Sequence, residues 1–557
     1  MRTVSLSFGL RAFALVGAAV ATEWACGGNG GFKPDASSGD DGSSDAIFVS
    51  DCSFCGVDTS TKETGPTADP CHVPPDNSGD NAPTCTAPPA PPNSFAPVSK
   101  WTWSEPTNIQ SQETTKGSMV IPLVADMVDT NNDGEVNLCD TPSVIVTTGG
   151  GYPGATGWAW MLSGDKGAVQ AQFEGNVDAS LTPALADLDG DKVPEVVFED
   201  LSGHIVVYDN KGKIKWTGTD VSPYGHYYAA IAIYDLDGDG SPEIIAGSSV
   251  FTSKGKLLWS NTLASSADSF GDTGTAPTAA DLDGDGYLEV IFSNAVYRHN
   301  GQLYWQMPAG TSGMPQVADL NGDGLPEVFM ARADGLQVLT HDGKQIIAPT
   351  QSFDPGNNFT CWHKPGAVGD FDGTGHPSLM DGSCSHFGIW HVGTSSLAMQ
   401  WSQPVDDPSG VAGSTAFDFL GRGIHDAVYG DQGKLWVYDG KSGSLEFSEV
   451  RNSGTLIEYP VVADVDNDGS ADILVVSNDN GSSGVYQHTL EVFHDAQNRW
   501  APTRRIWNQH AYHVTNVRED GTIPAHPKPS WKYTNTFRVN PQIQAGGDCQ
   551  PPPPNPN

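Results

Sequence analysis

Short apolar segments and acidic, glycine-rich loops alternate along most of this chain. Eight times between Asp126 and Asp472, such a loop separates two apolar segments of strand length. The segment before the loop carries small apolar residues, as in residues 183–186, and the segment after it is continuously apolar, as in 196–198. A continuous apolar run of this length indicates a strand buried on both faces. The pattern therefore predicts an all-β protein.

The spacing of the loops predicts the architecture. They recur about every 40 to 50 residues, which suits four short strands per repeat and hence the blades of a β-propeller. A hairpin with an Asn-Gly, Asp-Gly or Lys-Gly turn completes each repeat and ends in an aromatic residue, such as Trp216, Trp259, Trp305 or Phe447. We expect these aromatics to pack between neighbouring blades. Eight repeats predict eight blades; the alternative is seven, with the irregular first repeat as an appended hairpin.

Five loops carry oxygen side chains at positions 1, 3, 5 and 9, usually with glycine at position 6. Oxygen ligands at this spacing suit Ca²⁺. Several carboxylates in nine residues also repel one another unless a divalent cation lies among them. The predicted ligands are Asp187, Asp189, Asp191 and Glu195; Asp235, Asp237, Asp239 and Glu243; Asp281, Asp283, Asp285 and Glu289; Asp319, Asn321, Asp323 and Glu327; and Asp464, Asp466, Asp468 and Asp472.

The other three loops depart from this pattern. Loop 370–378 keeps two carboxylates and loop 418–426 places Arg422 at a ligand position, so both are predicted to bind no metal. The first loop instead fits a twelve-residue calcium loop with an acid at its last position. Its predicted ligands, a sixth site, are Asp129, Asn131, Asp133 and Asp140.

The repeats resemble the FG-GAP or VCBS type, the calcium-loop propeller repeat of integrin alpha-chain head domains and many bacterial surface proteins. The resemblance covers residues 117–497. It implies that positions 1, 3, 5 and 9 of the well-formed loops coordinate Ca²⁺. Integrin heads have seven blades, so it leaves the blade count open. Propellers of this type occur in adhesins, lectins, lyases and passive scaffolds, so the resemblance does not select a function.

Charge restricts the partners. The chain has 67 acidic and 28 basic residues and a formal net charge of −39. Such an excess of negative charge argues against nucleic acid or anionic lipid as a partner of the main body. Beyond the N-terminus, no apolar segment is long enough to span a membrane.

The N-terminus carries the features of an export signal. Arg2 and Arg11 are followed by an apolar stretch at residues 12–21 that ends in small residues, so residues 1–25 are predicted to be a signal peptide. Cys26 lies where bacterial lipoproteins place their lipidated cysteine. Lipidation of Cys26 would leave eight of the nine cysteines, an even number that can pair as disulfides. The alternative is a secreted protein that begins at Thr22.

Residues 26–100 are rich in Gly, Ser, Asp, Thr and Pro, and they are predicted to form a disordered tether. Four cysteines lie in this stretch: Cys52, Cys55, Cys71 and Cys85. In an oxidising compartment, small disulfide loops are favoured over a zinc site for these cysteines. The propeller itself is assigned to residues 101–497.

The C-terminal segment, residues 498–557, is basic and aromatic. It is expected to pack across the acidic propeller and lock the last blade to the first, with Cys549 as a possible staple. Alternatively, aromatic faces beside Arg and amide groups could bind a polar ligand. The candidate ligand-binding residues are Arg505, Trp507, Asn508 and His510. His510 and His513 could instead bind a metal, although plain packing is favoured for this pair.

No nucleophile elbow, zinc-protease helix or phosphate-binding loop is present in the sequence. We therefore predict a non-catalytic binding or adhesion module, exported to the bacterial cell envelope or outer surface, whose partner is a glycan or a surface protein. Its membrane contact would be through the lipid anchor alone. The enzymatic alternatives are a polysaccharide lyase, which would draw a base and a cation from residues 504–513, and a quinone-dependent dehydrogenase.

Overall fold

The computed structural model describes part of the chain, all of it within the compact unit Thr67–Asn557. The described residues are 71–72, 94–106, 116–149, 156–221, 229–263, 276–308, 313–350, 363–480 and 486–543. The predicted signal peptide, Cys26 and Cys549 lie outside them, as does most of the predicted tether. No helix in the described ranges has the length and hydropathy needed to cross a membrane.

The chain folds into an all-β propeller of eight antiparallel blades, so the prediction of eight blades is confirmed. Each blade has four principal strands, counted from the centre of the ring outward. Blade 1 contains β2 (Leu123–Ala125), β3 (Ser143–Gly149), β4 (Thr156–Ser163) and β5 (Val169–Gln172), with the short β6 (Val177–Asp178) paired to β4. Blade 2 contains β7 (Ala184–Ala186), β8 (Glu195–Glu199), β9 (His204–Tyr208) and β10 (Ile214–Val221).

The next five blades keep the same order. Blade 3 contains β11 (Ile231–Tyr234), β12 (Glu243–Ala246), β13 (Ser249–Thr252) and β14 (Leu257–Ser260). Blade 4 contains β15 (Thr278–Ala280), β16 (Glu289–Ile291), β17 (Ala295–Tyr297) and β18 (Leu303–Gln306). Blade 5 contains β19 (Gly313–Ala318), β20 (Glu327–Arg332), β21 (Gly335–Thr340) and β22 (Gln345–Thr350). Blade 6 contains β23 (Lys364–Gly369), β24 (Ser378–Ser383), β25 (His386–Val392) and β26 (Leu397–Pro404). Blade 7 contains β27 (Ser414–Phe417), β28 (Asp426–Gly430), β29 (Lys434–Tyr438) and β30 (Leu445–Val450).

Blade 8 closes the ring with a strand from the other end of the chain. It contains β31 (Val461–Ala463), β32 (Asp472–Val476), β33 (Leu490–Asp495) and, outermost, β1 (Pro97–Trp103). β1 pairs antiparallel with β33, from Pro97 opposite Asp495 to Trp103 opposite Leu490. The sequence-based tether boundary at residue 100 is therefore wrong, because the blade begins at Pro97. The sequence signal for this strand is the alternation of Trp101 and Trp103 with a polar residue. In the structure both tryptophans are buried and the residue between them is exposed.

Burial decreases from the inner strands to the outer ones. The second strands β8 and β32 are buried along their whole length, whereas the outer strand β10 is mostly exposed. This matches the expectation from their continuous apolar sequences. The inner strands carry small side chains, as in β7 with Ala184 and Ala186, because eight strands crowd around one axis.

Tryptophans of the outer strands join neighbouring blades, as predicted from their recurrence. Trp259 of blade 3 donates its indole N–H to the His299 carbonyl of blade 4 at 3.0 Å, and its ring covers Gly301. A Cβ atom added at Gly301 would lie 2.7 Å from the Trp259 ring, and this residue has φ of 81°. Equivalent indole bonds to the next blade are made by Trp101 (2.7 Å), Trp305 (3.0 Å) and Trp401 (2.6 Å).

The C-terminal segment lies across the inner strands of the ring. Trp507 forms a β-bridge with Val124 of blade 1, and the Asn508 carbonyl accepts the Leu185 N–H of blade 2 at 2.8 Å. Further contacts reach the inner strands of the other side of the ring: Phe537 with Val368 in blade 6, Val539 with Ala416 in blade 7, and Asn540 with the Val462 carbonyl in blade 8. The segment therefore fills the centre of the propeller in addition to bridging its first and last blades.

One disulfide links the start of the described chain to the first loop. Cys71 is bonded to Cys139, 68 residues away. The expectation of small disulfide loops within the tether is thus wrong for Cys71. Cys384 is also disulfide-bonded.

Candidate metal centres

Each of the eight loops joins the inner strand of a blade to its second strand, so all eight lie on the same face of the ring. In every well-formed loop, the acid at position 1 organises the backbone. One oxygen of Asp319 accepts the Gly322 N–H at 2.7 Å, and the other accepts the Gly324 N–H at 2.8 Å. Asp281 makes the equivalent bonds to Gly284 at 2.8 Å and Gly286 at 3.1 Å. The left-handed glycines at these turns let the backbone bring both N–H groups to one carboxylate.

The acid at position 9 is held by a hydrogen bond that recurs in all five well-formed loops. One of its oxygens accepts the N–H of the residue at position 2, which leaves the other oxygen directed to the loop. These bonds join Glu195 to Leu188 (2.9 Å), Glu243 to Leu236 (2.9 Å), Glu289 to Leu282 (2.9 Å), Glu327 to Leu320 (2.8 Å) and Asp472 to Val465 (3.1 Å). The loop backbone therefore fixes both ends of the predicted ligand set before any ion binds.

The structure brings most of the predicted ligands together. Three acids offer oxygens within 4.8 Å of one another in each of four loops: Asp187, Asp189 and Glu195; Asp235, Asp237 and Asp239; Asp281, Asp283 and Asp285; and Asp464, Asp466 and Asp472. The fifth loop, 319–327, has Asn321 as one of its four oxygen residues. Its Asn321 Nδ2 lies 2.7 Å from Glu327 Oε1, so the predicted ligands are adjacent there too. A set of oxygen donors without sulfur or imidazole fits a hard cation such as Ca²⁺.

Electrostatics also favour a cation in these loops. Burial, together with the neighbouring aspartates, raises the pKa of Glu243 to about 8. The same causes raise the pKa of Glu289 and of Glu327 to about 7 and that of Asp464 to about 7. Acids with such raised pKa values are costly to ionise without a nearby positive charge, which a divalent ion would supply.

In each of the two loops predicted to bind no metal, a side chain that is not acidic occupies a ligand position. In loop 418–426, the Arg422 guanidinium pairs with Asp426 and lies 3.3 Å from Asp439. Asp426, Asp439 and Glu446 form an acidic cluster that the sequence analysis missed, because Asp439 and Glu446 belong to the following hairpin. In loop 370–378, Ser378 at position 9 bonds His391 Nδ1 at 2.8 Å.

The first loop differs from the expected twelve-residue site. Both oxygens of Asp140 are used by the loop backbone: one accepts the Thr130 N–H at 2.7 Å and the other accepts the Asn137 N–H at 2.9 Å. Asp140 thus takes the bracing role of a position-9 acid. Asp129, Asp133 and Asp140 do not form a three-acid cluster of the kind seen in the other loops. Calcium at this loop stays a prediction.

The candidate ligand-binding residues of the C-terminal segment lie inside the ring. Arg505, Trp507, Asn508 and His510 are all buried. Arg505 donates to Glu519 at 2.7 Å and to the Leu138 carbonyl at 2.6 Å. This burial favours the packing alternative for all four residues.

The two histidines of the segment are also in packed positions. Burial, with a smaller contribution from Arg538, lowers the pKa of His510 well below its usual range, and burial lowers the pKa of His513 to about 3. His510 Nε2 lies 3.1 Å from the Ile457 carbonyl and His513 Nδ1 lies 3.1 Å from the Thr515 hydroxyl. Neither histidine belongs to a three-residue ligand cluster in the described chain.

The fold and its loops define an eight-bladed propeller with repeated acidic loops on one face. A family model, the FG-GAP-like repeat, matches residues 187–246, 319–380 and 418–475, and each match spans two of the eight loops. The chain therefore contains FG-GAP-like repeats. No curated protein matches it by sequence.

A solved structure supports the assignment of the fold. The V. cholerae biofilm matrix protein Bap1 aligns with a TM-score of 0.64 and 21% identity over 81% of this chain and 99% of that chain. Rhamnogalacturonan lyase YesW aligns with a TM-score of 0.48 and 16% identity over 87% and 84% of the two chains. The rhamnogalacturonan lyase PL11 of Bacillus licheniformis aligns with a TM-score of 0.45 and 14% identity over 83% of each chain. At 21% identity, the likeness to Bap1 concerns the fold alone.

Proposed function

We propose that this protein is an exported, calcium-stabilised propeller that acts as a non-catalytic binding or adhesion module at the bacterial cell surface. The observation that carries the proposal is the repeated loop geometry. Five loops hold oxygen side chains in backbone-braced positions between the first two strands of a blade, where a bound ion would stabilise the fold. The fold likeness to Bap1, a biofilm matrix protein, is consistent with the same interpretation.

The N-terminal features extend the proposal to location. A signal peptide at residues 1–25 and a lipidated Cys26 would attach the protein to a membrane, and the stretch from Cys26 to the disulfide at Cys71 would act as a tether between the lipid and the propeller. Without lipidation, the same protein would be secreted. The Cys71–Cys139 disulfide supports an oxidising compartment.

The lyase alternative finds less support. It would need a base and a cation in an open cleft, and the segment 504–513 was the richest source of both. Arg504, His510 and His513 are buried in the centre of the ring, where a polysaccharide has no access to them. The quinone alternative would need a basic pocket that binds an anionic cofactor. The excess of acidic residues in the chain disfavours such a pocket.

An array of glycans and envelope proteins, probed with the purified protein, tests this proposal. We expect binding to one class of partner in the presence of calcium, loss of binding after chelation, and no cleavage of any glycan that binds. Production of unsaturated sugars during incubation, detected by ultraviolet absorbance, would instead support the lyase alternative. Binding to no partner at any calcium concentration would overturn the adhesion proposal.

The role of the C-terminal segment is tested separately. Replacing Arg505 and Trp507 by Ala should unfold or strongly destabilise the protein, because both side chains are buried against the blades. A variant that keeps its melting temperature but no longer binds the partner would restore the ligand-binding interpretation. Lys344→Ala, at a side chain that is 79% exposed, is the matched control.

A further inference from the structure

Three of the five well-formed loops contain a basic side chain among their predicted calcium ligands. Lys100 of β1 reaches loop 464–472, where its Nζ contacts Asp466 and lies 3.0 Å from Asp472 Oδ1 and 3.6 Å from Asp468 Oδ2. The Lys100 side chain is only 10% exposed. Its ammonium group is thus surrounded by the same carboxylates that would coordinate the ion.

The other two cations come from elsewhere in their own blades. Arg298, which directly follows β17, lies 2.7 Å from Asp283, 3.3 Å from Asp285 and 3.4 Å from Glu289. Lys215 of β10 contacts Asp189 and lies 2.9 Å from Glu195. In each case the charged group bridges position 9 and at least one other ligand position.

Loops 235–243 and 319–327 differ. No Lys or Arg pairs with either loop in the described part of the chain. Every Lys and Arg after residue 93 lies in the described ranges, and none of them pairs with an acid of these two loops. The presence or absence of an internal cation therefore divides the five loops into two groups.

An internal cation and a calcium ion compete for the same oxygens. Calcium must displace the ammonium or guanidinium group and break charge-assisted hydrogen bonds that are partly shielded from water. We propose that the calcium loops form two affinity classes. Loops 235–243 and 319–327 bind the ion tightly, and loops 187–195, 281–289 and 464–472 bind it at least about tenfold more weakly because Lys215, Arg298 and Lys100 compete. This inference rests on the calcium binding of the proposed function.

The position of Lys100 indicates a structural role for the competing cation at loop 464–472. Lys100 belongs to the strand that closes the ring, and loop 464–472 also touches the first blade, where Asn467 Nδ2 lies 3.1 Å from the carbonyls of Leu138 and Asp140. A tethered ammonium there holds the closing strand to blade 8 when calcium is scarce. The closure of the ring would then not depend on the ion.

Calcium titration calorimetry of the metal-free protein tests the proposal. We expect tight and weak sites in the wild type. Arg298→Met, Lys215→Met and Lys100→Met should each convert one weak site into a tight one, with an affinity gain of at least about tenfold. Lys344→Met, which removes an exposed lysine outside the predicted calcium loops, is the matched control and should leave the titration unchanged.

Two variants assign the classes. Asp239→Asn should remove a tight site, whereas Asp285→Asn should remove a weak site and leave the tight sites unchanged. Binding at equivalent sites in the wild type, or an unchanged titration for Arg298→Met, would overturn the two classes while calcium binding itself stands. An absence of calcium binding in every variant would instead overturn the proposed function.

Discussion

Replacement of Glu243 by Gln should have opposite effects with and without calcium. In the metal-free protein, burial and the neighbouring aspartates raise the pKa of this carboxyl from 4.5 to about 8. A carboxyl with a raised folded-state pKa contributes stability that is fully present below pH 4.5 and is lost as the pH rises through 8. Above that pH the wild type must either ionise a buried acid or unfold, whereas the neutral amide of the variant has no charge to bury.

The size of the effect follows from the pKa change. At about 1.4 kcal/mol per pKa unit, the change corresponds to nearly 5 kcal/mol, and solvent around the exposed Asp237 and Asp239 reduces it to roughly 2 to 3 kcal/mol. Metal-free Glu243→Gln should therefore be more stable than the wild type by about that amount near pH 9 and by only about 0.5 kcal/mol near pH 5. With calcium, the same variant loses a ligand and should be less stable than the wild type.

Urea denaturation at the two pH values measures the free energy of unfolding of both proteins. Experiments in chelator test the predicted gain in stability, and experiments in calcium test the predicted loss. Glu195→Gln is the matched control, because Lys215 already pairs with Glu195 and its pKa rises only to about 6. Its gain near pH 9 should be clearly smaller. A Glu243→Gln protein that is less stable than the wild type in chelator near pH 9 would refute the electrostatic argument for these loops.

The remaining predictions concern the loops, the blade contacts and the N-terminus. Chelation should lower the melting temperature by more than about ten degrees, and Asp283→Ala should reproduce part of this loss; an unchanged melting curve in chelator would count against structural calcium. Asp418→Ala should cost about 1 to 3 kcal/mol in urea denaturation despite the absence of predicted metal, because it leaves the Gly423 N–H without its acceptor. Gly301→Val should cost about 2 kcal/mol or more, since φ is positive and Trp259 covers the residue; equal stability would contradict the contact between blades. Cys26→Ser should move the protein from the membrane fraction to the soluble fraction, and a wild type already soluble would exclude the lipid anchor.

The blade architecture was predictable because each repeat carries its own local signals. The period of the loops, the small residues of strands such as β7 and the continuous apolar run of β8 all reflect burial that one repeat imposes on itself. The packing of Trp259 on the next blade could also be inferred, since the residue recurs at one place per repeat. The acids at positions 1 and 9 recur with the same repetition, and their role as calcium ligands stays a prediction.

The features that could not be predicted depend on contacts between distant parts of the chain. β1 pairs with β33 across nearly 400 residues, and nothing near Pro97 in the sequence indicates that partner. The placement of Lys100 among the acids of loop 464–472 and the Cys71–Cys139 disulfide have the same origin. The bonds of Asp418 are local, but the sequence does not reveal them: its carboxylate accepts the Arg422 and Gly423 N–H groups and so braces the loop backbone whether or not a metal is bound.

The metal content of the purified protein tests the central claim most directly. In equilibrium dialysis at saturating calcium, with the free ion of the protein-free side subtracted, elemental analysis should find about five calcium ions per chain, one for each well-formed loop, or six if the first loop also binds. Retention of fewer than about three ions per chain at saturating calcium would contradict the account of this protein as a calcium-stabilised propeller.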